Sequence, residues 1–140
     1  MEKVTAWLLD LGAIRIAVAH HAVVEVLSEA QTWPLAVGPR WCRELLAWRG
    51  RFLPLARLGQ SLDHTLVIII AVTVEQGQRP EYVALRLNQV PESIEVMADA
   101  DCELPAQYPL PADALLACFQ HQNHLVTVPD LGLLFKLTSQ

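Results

Sequence analysis

Three sets of residues could carry chemistry in this 140-residue chain: its histidines, its cysteines and an arginine-rich stretch. His20 and His21 are adjacent, His121 and His124 lie three apart, and His64 follows Asp63. A metal centre needs three or four converging ligands with supporting partners behind them. These pairs sit in unrelated parts of the chain, so they read as polar turn residues. A phosphoaccepting histidine would require an exposed helix of a bundle, which the strand-rich pattern does not offer. Cys42, Cys102 and Cys118 are odd in number and form no CxxC, so they read as buried thiols rather than a disulfide framework or zinc ligands. Their apolar or acidic surroundings would keep a thiol protonated. Neither a phosphate-cradling glycine loop nor a GxSxG elbow is present. The expectation is a protein that is not an enzyme, with no catalytic, cofactor-binding or metal residues.

The arginines are more informative. Five of the ten basic residues (Arg40, Arg43, Arg49, Arg51 and Arg57) fall between positions 40 and 57, in a chain of formal charge −5. A nucleic-acid site would sit on a strongly basic domain, and an isoelectric point near 5.4 argues against one. The neighbouring Trp41, Trp48 and Phe52 lie in apolar strand context, where such rings anchor cores or protein interfaces. A second segment balances the first: residues 91–105 hold five acids and no base. Charge asymmetry of this kind tunes partner choice and encounter rate.

The elements that must position these residues are mostly strands. An apolar fraction of 53% and a mean hydropathy of +0.30 indicate a folded chain with a sizeable core. The continuous apolar run at 66–72 is far shorter than the roughly 20 residues of a membrane helix; the stretch 65–74 that contains it reads as a strand buried on both faces. The N-terminus shows no signal-peptide pattern, and the cytosol is the expected compartment. Strands are also expected at 4–11, 13–19, 51–55, 81–87 and 93–96, with a hairpin across "HQNH" near the C-terminus. "HAVVEVLSEA" has helical spacing and reads as a short helix or irregular turn, although its valines weaken the helix. Residues 32–40 read as loop, and "PDLGLLFKL" as a closing helix with Pro129 in its first turn. Many short strands and little helix mean an all-β barrel or pair of barrels. No Gly/Ser-rich linker divides the chain, so 1–140 reads as one domain.

Taken in order, these segments resemble the CheW-like family of chemotaxis coupling proteins over roughly positions 4–137. "IAVAHHAVVEVL" is similar to that family's opening strand and its V-x-E-V element. "WCRELLAWRGRFLPLARL" resembles its Gly-x-x-Asn-x-Arg-Gly core, followed by an apolar strand ending in Asp-Leu. "VALRLNQVPESIEV" and "FQHQNHLVTVPDLGLLF" resemble its later strand-and-turn and closing segments. The resemblance implies two small five-stranded SH3-like β-barrel lobes sharing a hydrophobic core, with one or two short helices. It also implies a cytoplasmic adaptor recruited to membrane-associated arrays, which bridges a methyl-accepting chemoreceptor to a CheA-type histidine kinase. The groove between lobes would take the receptor helix, and a barrel end would pair with the kinase's CheW-like domain. Self-association is a further implication; nucleic-acid binding and membrane insertion are not.

Carried over by position, the partner-binding residues are Val23, Glu25, Arg49, Gly50, Arg57 and Asn88. Glu25 and Arg49 are expected to form a partly buried ion pair, costly to break singly. The chain departs from the family pattern at four places. Glu44 stands where the core motif has glycine, Ala47 where it has asparagine, Arg57 where it has aspartate, and Asn88 where the second strand motif has aspartate. Such departures suit a divergent member, for instance in an array controlling type IV pilus motility. The alternative is a degenerate CheW-like module that binds another regulatory or polarity partner and no longer couples receptor to kinase.

Overall fold

The computed structural model describes residues 3–37, 42–56, 66–73, 79–97 and 103–138. Their strands are β1 (Lys3–Asp10), β2 (Arg15–Ala19), β3 (Val23–Leu27), β4 (Thr32–Pro34), β5 (Cys42–Trp48), β6 (Arg51–Ala56), β7 (Leu66–Val72), β8 (Glu81–Leu87), β9 (Glu92–Met97), β10 (Leu115–His121) and β11 (His124–Pro129). Helix α1 (Leu131–Thr138) closes the chain, and short 3-10 turns occupy His20–Ala22 and Ala112–Ala114. Two sheets result, ordered β10-β11-β2-β1-β9 and β3-β7-β8-β6-β5-β4. They form barrel-like lobes, here called lobe 1 and lobe 2. The second sheet carries six strands where five were expected; the addition is the three-residue β4 inside a stretch read as loop.

The period-2 alternation of the strands explains how one chain fills three apolar compartments. In β7, Ile68, Ile70 and Val72 point into a shared core, while Val67 and Ile69 point into the interior of lobe 2. In β2, Ile16 and Val18 join the shared core and Ala17 faces the interior of lobe 1. β8 follows the same rule, with Val83, Leu85 and Leu87 on the shared side and Ala84 on the lobe 2 side. The apolar run of β7 therefore reflects burial on both faces. The shared core also takes Leu9, Leu11, Ala56, Leu110, Ala114 and Leu134, so both sheets and α1 meet in it.

Three local expectations are corrected. The segment after His21 is a 3-10 turn and then β3, paired antiparallel with β7, rather than a helix. Edge pairing rewards the stiff valines there more than a single helical turn would. Pro129 is the last residue of β11, and Asp130 caps α1: its Oδ1 accepts the Leu133 N–H at 3.1 Å. Cys118 is disulfide-bonded rather than a thiol, and its partner lies outside the described residues. Cys42 does keep a buried thiol, which donates weakly to the Glu44 carbonyl.

Candidate functional site

The β5–β6 hairpin organises the residues expected to meet partners. Trp48 and Arg51 close it, and Arg49 and Gly50 form its two-residue turn, with φ of 47° and 77°. Two positive φ values are what a tight turn between twisted strands demands. Glycine meets that demand freely at position 50, and Arg49 bears a modest backbone cost at its own.

The hairpin brings Arg49 to Glu25 on β3. One Glu25 carboxylate oxygen (Oε2) accepts the Trp48 indole N–H at 2.6 Å and lies 3.6 Å from the Arg49 guanidinium. The expected pair is therefore present, but its energetics differ from the expectation. Arg49 is 65% exposed, so the ion pair contributes only about 0–1 kcal/mol. The charge-assisted bond from the mostly buried Trp48 is the stronger tie, at about 1.5–3 kcal/mol. Arg49 also lies over the Trp48 ring, 4.6 Å from its centroid, and Arg51 stands 5.0 Å from the centre of Tyr82. Two guanidinium groups thus lid an aromatic floor at the end of lobe 2.

The other expected residues separate. Val23 starts β3, pairs with Ile70 and packs against the shared core, directly after Ala22. Ala22 lines a groove of about 260 Å³ bounded by Ala19 of β2, Ala71 of β7, Val128 of β11 and Leu131 of α1. That groove draws its walls from both sheets. Asn88 belongs to a different cluster: its N–H donates to the Asp10 carbonyl at 2.7 Å, tying the end of β8 to the end of β1. Asp10 in turn faces Arg15 at 3.7 Å. Arg57 lies outside the described residues.

Sequence reasoning missed two features. Glu44, at a position where the family motif has glycine, accepts from Arg86 at 2.8 Å across lobe 2, with both side chains mostly buried. The signal was there: Arg86 shares its strand face with Tyr82 and Ala84, which turns it inward and demands a carboxylate. The second is an exposed aromatic pair, Trp33 and Phe52, whose rings meet edge to face at 5.5 Å. The histidines are dispersed: His20 stacks on Trp7 and bonds Ser93, while His121 faces His124 across their hairpin.

Two fused β lobes, an inter-lobe groove, and a cation-lidded hairpin with exposed rings define a module built to dock other proteins. The chain belongs to the CheW-like domain family, whose model matches residues 5–139. Among solved structures, the chain is similar to the scaffolding protein TtCheW from Thermoanaerobacter tengcongensis, at 15% identity with a TM-score of 0.73. The similarity covers 99% of this chain and 97% of that one. No curated protein matches the chain. Among the described residues, no helix is long and apolar enough to cross a membrane.

Proposed function

We propose that this chain is a chemosensory coupling adaptor that bridges the signalling tip of a chemoreceptor to the CheW-like domain of a CheA-type kinase. The observation carrying this reading is the Glu25–Trp48–Arg49 cluster: the family's V-x-E-V and Arg-Gly elements, far apart in sequence, meet at one surface. Val23 and Ala22 place the same β3 segment beside the inter-lobe groove, whose apolar walls suit one face of a receptor helix. The apolar cavity of lobe 1 bordered by Val4, Val96, Phe119 and Val128 suits contact with a related barrel of the kinase. Its cytoplasmic location and its recruitment to receptor arrays belong to the same proposal, as does service to a pilus-type system.

A three-component reconstitution tests the reading. The purified chain, a receptor signalling-tip fragment and the kinase CheW-like domain from the same genome are mixed and resolved by size-exclusion chromatography. A ternary complex is expected, weakened at least tenfold by Glu25→Lys or Arg49→Glu. A folded wild-type chain that binds neither component defeats the proposal.

A further inference from the structure

The interior of lobe 1 ends, on one side, in polar groups rather than in apolar packing. Its inward-facing residues include Ala6 and Leu8 of β1, Ala17 of β2, Ile94 of β9, Phe119 of β10 and Val126 of β11. Side chains two apart on a strand share a face. The next inward position on each strand is therefore Asp10, Arg15, Glu92, His121 and His124 in turn. Register gathers them at one end of the sheet: Asp10 pairs with Arg15, Glu92 with Leu8, His121 with His124, and Val126 with Arg15. All five line one cavity of about 230 Å³. Each strand of the lobe thus supplies a polar side chain where its alternation calls for an apolar one. Inward positions that break the pattern together mark a site rather than a core, and the mouth of a β-barrel is a common place for one.

The bonding of these groups says what the cavity would take. Asp10 is already committed: its Oδ1 accepts the Gly12 N–H at 2.9 Å, and its Oδ2 lies 3.5 Å from the Asn88 amide and 3.7 Å from Arg15. The Arg15 contact is too long for a hydrogen bond, and Arg15 makes no hydrogen bond among the described residues. Its side chain is only 30% exposed, so a planar fork of donors is held in place and left unused. A carboxylate is the group that such a fork takes bidentately. On the other flank of β1, the exposed Glu92 has no ion pair among the described residues. The cavity therefore offers one cation and one anion, each with unmet capacity, on opposite walls. His121 adds a further demand, since its buried Nε2 has no hydrogen-bond partner among the described residues. Val90, also in the lining, is 74% exposed and supplies an apolar contact. Among the described residues no three ligating side chains could hold a metal ion. The volume lies below the about 300–1,000 Å³ of drug-sized sites, which leaves no room for a nucleotide.

We infer that this mouth of lobe 1 binds a small free α-amino acid, with its carboxylate on Arg15, its ammonium on Glu92 and an apolar side chain on Val90. Asp10 is a positioning residue, because it holds Arg15 without occupying its donors. The inference goes beyond the coupling reading and does not depend on it. That reading uses the Glu25–Trp48–Arg49 cluster, the inter-lobe groove and the apolar cavity at the opposite end of lobe 1.

Titration of the isotope-labelled chain with L-valine, followed by its backbone amide shifts, tests the site. L-Valinamide, which lacks the carboxylate, and isovalerate, which lacks the ammonium, are the comparison probes. Saturable shifts are expected in the β1–β2, β8–β9 and β10–β11 turns, with each comparison probe bound about tenfold or more weakly than L-valine. Arg15→Gln and Glu92→Gln should each weaken L-valine by about tenfold or more. Val90→Ser should weaken it by a smaller factor, and Leu116→Ser, at an exposed apolar site on β10, should leave it unchanged. The same spectra report whether each variant is folded. Glu92 is exposed, so Glu92→Gln carries the test even if Arg15→Gln does not fold. No saturable shift from L-valine overturns the inference. Isovalerate binding as tightly as L-valine, or unchanged affinity in Glu92→Gln, overturns the amino acid in favour of a simple carboxylate. L-Valinamide binding as tightly as L-valine overturns the role of Arg15. Shifts centred on the apolar cavity at the opposite end of lobe 1 overturn the location.

Discussion

The two lobes solve the same packing problem with different residues. Lobe 1 is filled by Ala6, Ala17, Ile94, Phe119 and Val126, whereas lobe 2 holds Leu46, Trp48, Leu53, Leu55, Val67, Ile69 and Ala84. The smaller set leaves room. One end of lobe 1 opens into an apolar cavity of about 230 Å³ lined by Val4, Ala6, Ala17, Val96, Phe119 and Val128. Another cavity of about 230 Å³ is polar, bordered by Asp10, Arg15, Glu92, His121 and His124. In lobe 2 the corresponding space is taken by Trp48, fixed by Glu25 and lidded by Arg49 and Arg51. Lobe 1 is thus shaped to accept an inserted apolar group, and lobe 2 to present rigid rings and cations outward. The coupling function proposed above requires two partners at once, and two unlike surfaces on one body would serve it.

The rigid body comes from the shared core, and breaking that core gives the largest expected effect. Ile68 is fully buried and faces both sheets. Ile68→Ala should cost about 2–5 kcal/mol. Because the shared core serves both lobes, calorimetry should still show one transition, shifted down. Two separate transitions would mean that the lobes fold independently and that the comparison describes two domains rather than one.

A smaller pair of substitutions sharpens the contrast in packing. Ala84 and Ala17 are both fully buried on central strands, one in each lobe. Ala84 sits within the filled interior of lobe 2, where added methyl groups force neighbours from their rotamers; Ala84→Val should cost about 1–3 kcal/mol. Ala17 borders the apolar cavity, where the same methyl groups find open space and a strand that favours β-branched side chains. Ala17→Val should be neutral or gain up to about 1 kcal/mol. Parallel urea titrations compare them, and equal losses would show that the lobe 1 cavity is not usable space. If the cavity receives a partner's side chain, Ala17→Val should also weaken that partner while stabilising the free chain.

How much of this was legible in sequence depended on whether a strand's environment leaves a local mark. β7 announced itself, because burial on two faces forces a continuous β-branched run. The hairpin turns at Arg49–Gly50 and Gln122–Asn123 were readable for a similar reason, since Gly50 and Asn123 suit the positive φ values found there. β3 was read as a short helix or irregular turn because it is an edge strand with alternating exposure, and five residues fit either period. β4 was missed because Pro34 and its neighbours read as a turn, and only pairing with β5 makes it a strand. The Glu25–Arg49 contact was foreseen from the family resemblance, whereas its dependence on Trp48 was not. A tryptophan's burial shows in an apolar pattern, but the direction of its indole N–H does not. The exposure of Phe52 was hidden for the converse reason: outward and inward apolar residues look alike until the sheet is assembled. Arg57, the residue that departs most in charge from the family pattern, lies outside the described residues and stays a proposal from sequence.

The smallest expected effect concerns how the loop before β10 is held against lobe 1. The Tyr108 hydroxyl lies 2.9 Å from Thr127 Oγ1, and Thr127 is a fully buried polar residue on β11. Burial of the phenol raises its pKa above the ordinary 10.0, and the bond to Thr127 lowers it only in part. The folded chain therefore holds this proton more tightly than the unfolded chain. The stability so conferred is complete below about pH 10 and is lost as pH rises through the raised folded value. Tyr108→Phe should cost about 1 kcal/mol at neutral pH, because it strips the Thr127 hydroxyl of this partner. The same change should flatten the alkaline limb of the stability profile, measured by urea midpoints between neutral pH and pH 11. The sign separates two readings of the loop: a limb that survives in Tyr108→Phe would place the alkaline sensitivity elsewhere, and the loop would then be held by the packing of Leu110 in the shared core rather than by its bond to lobe 1.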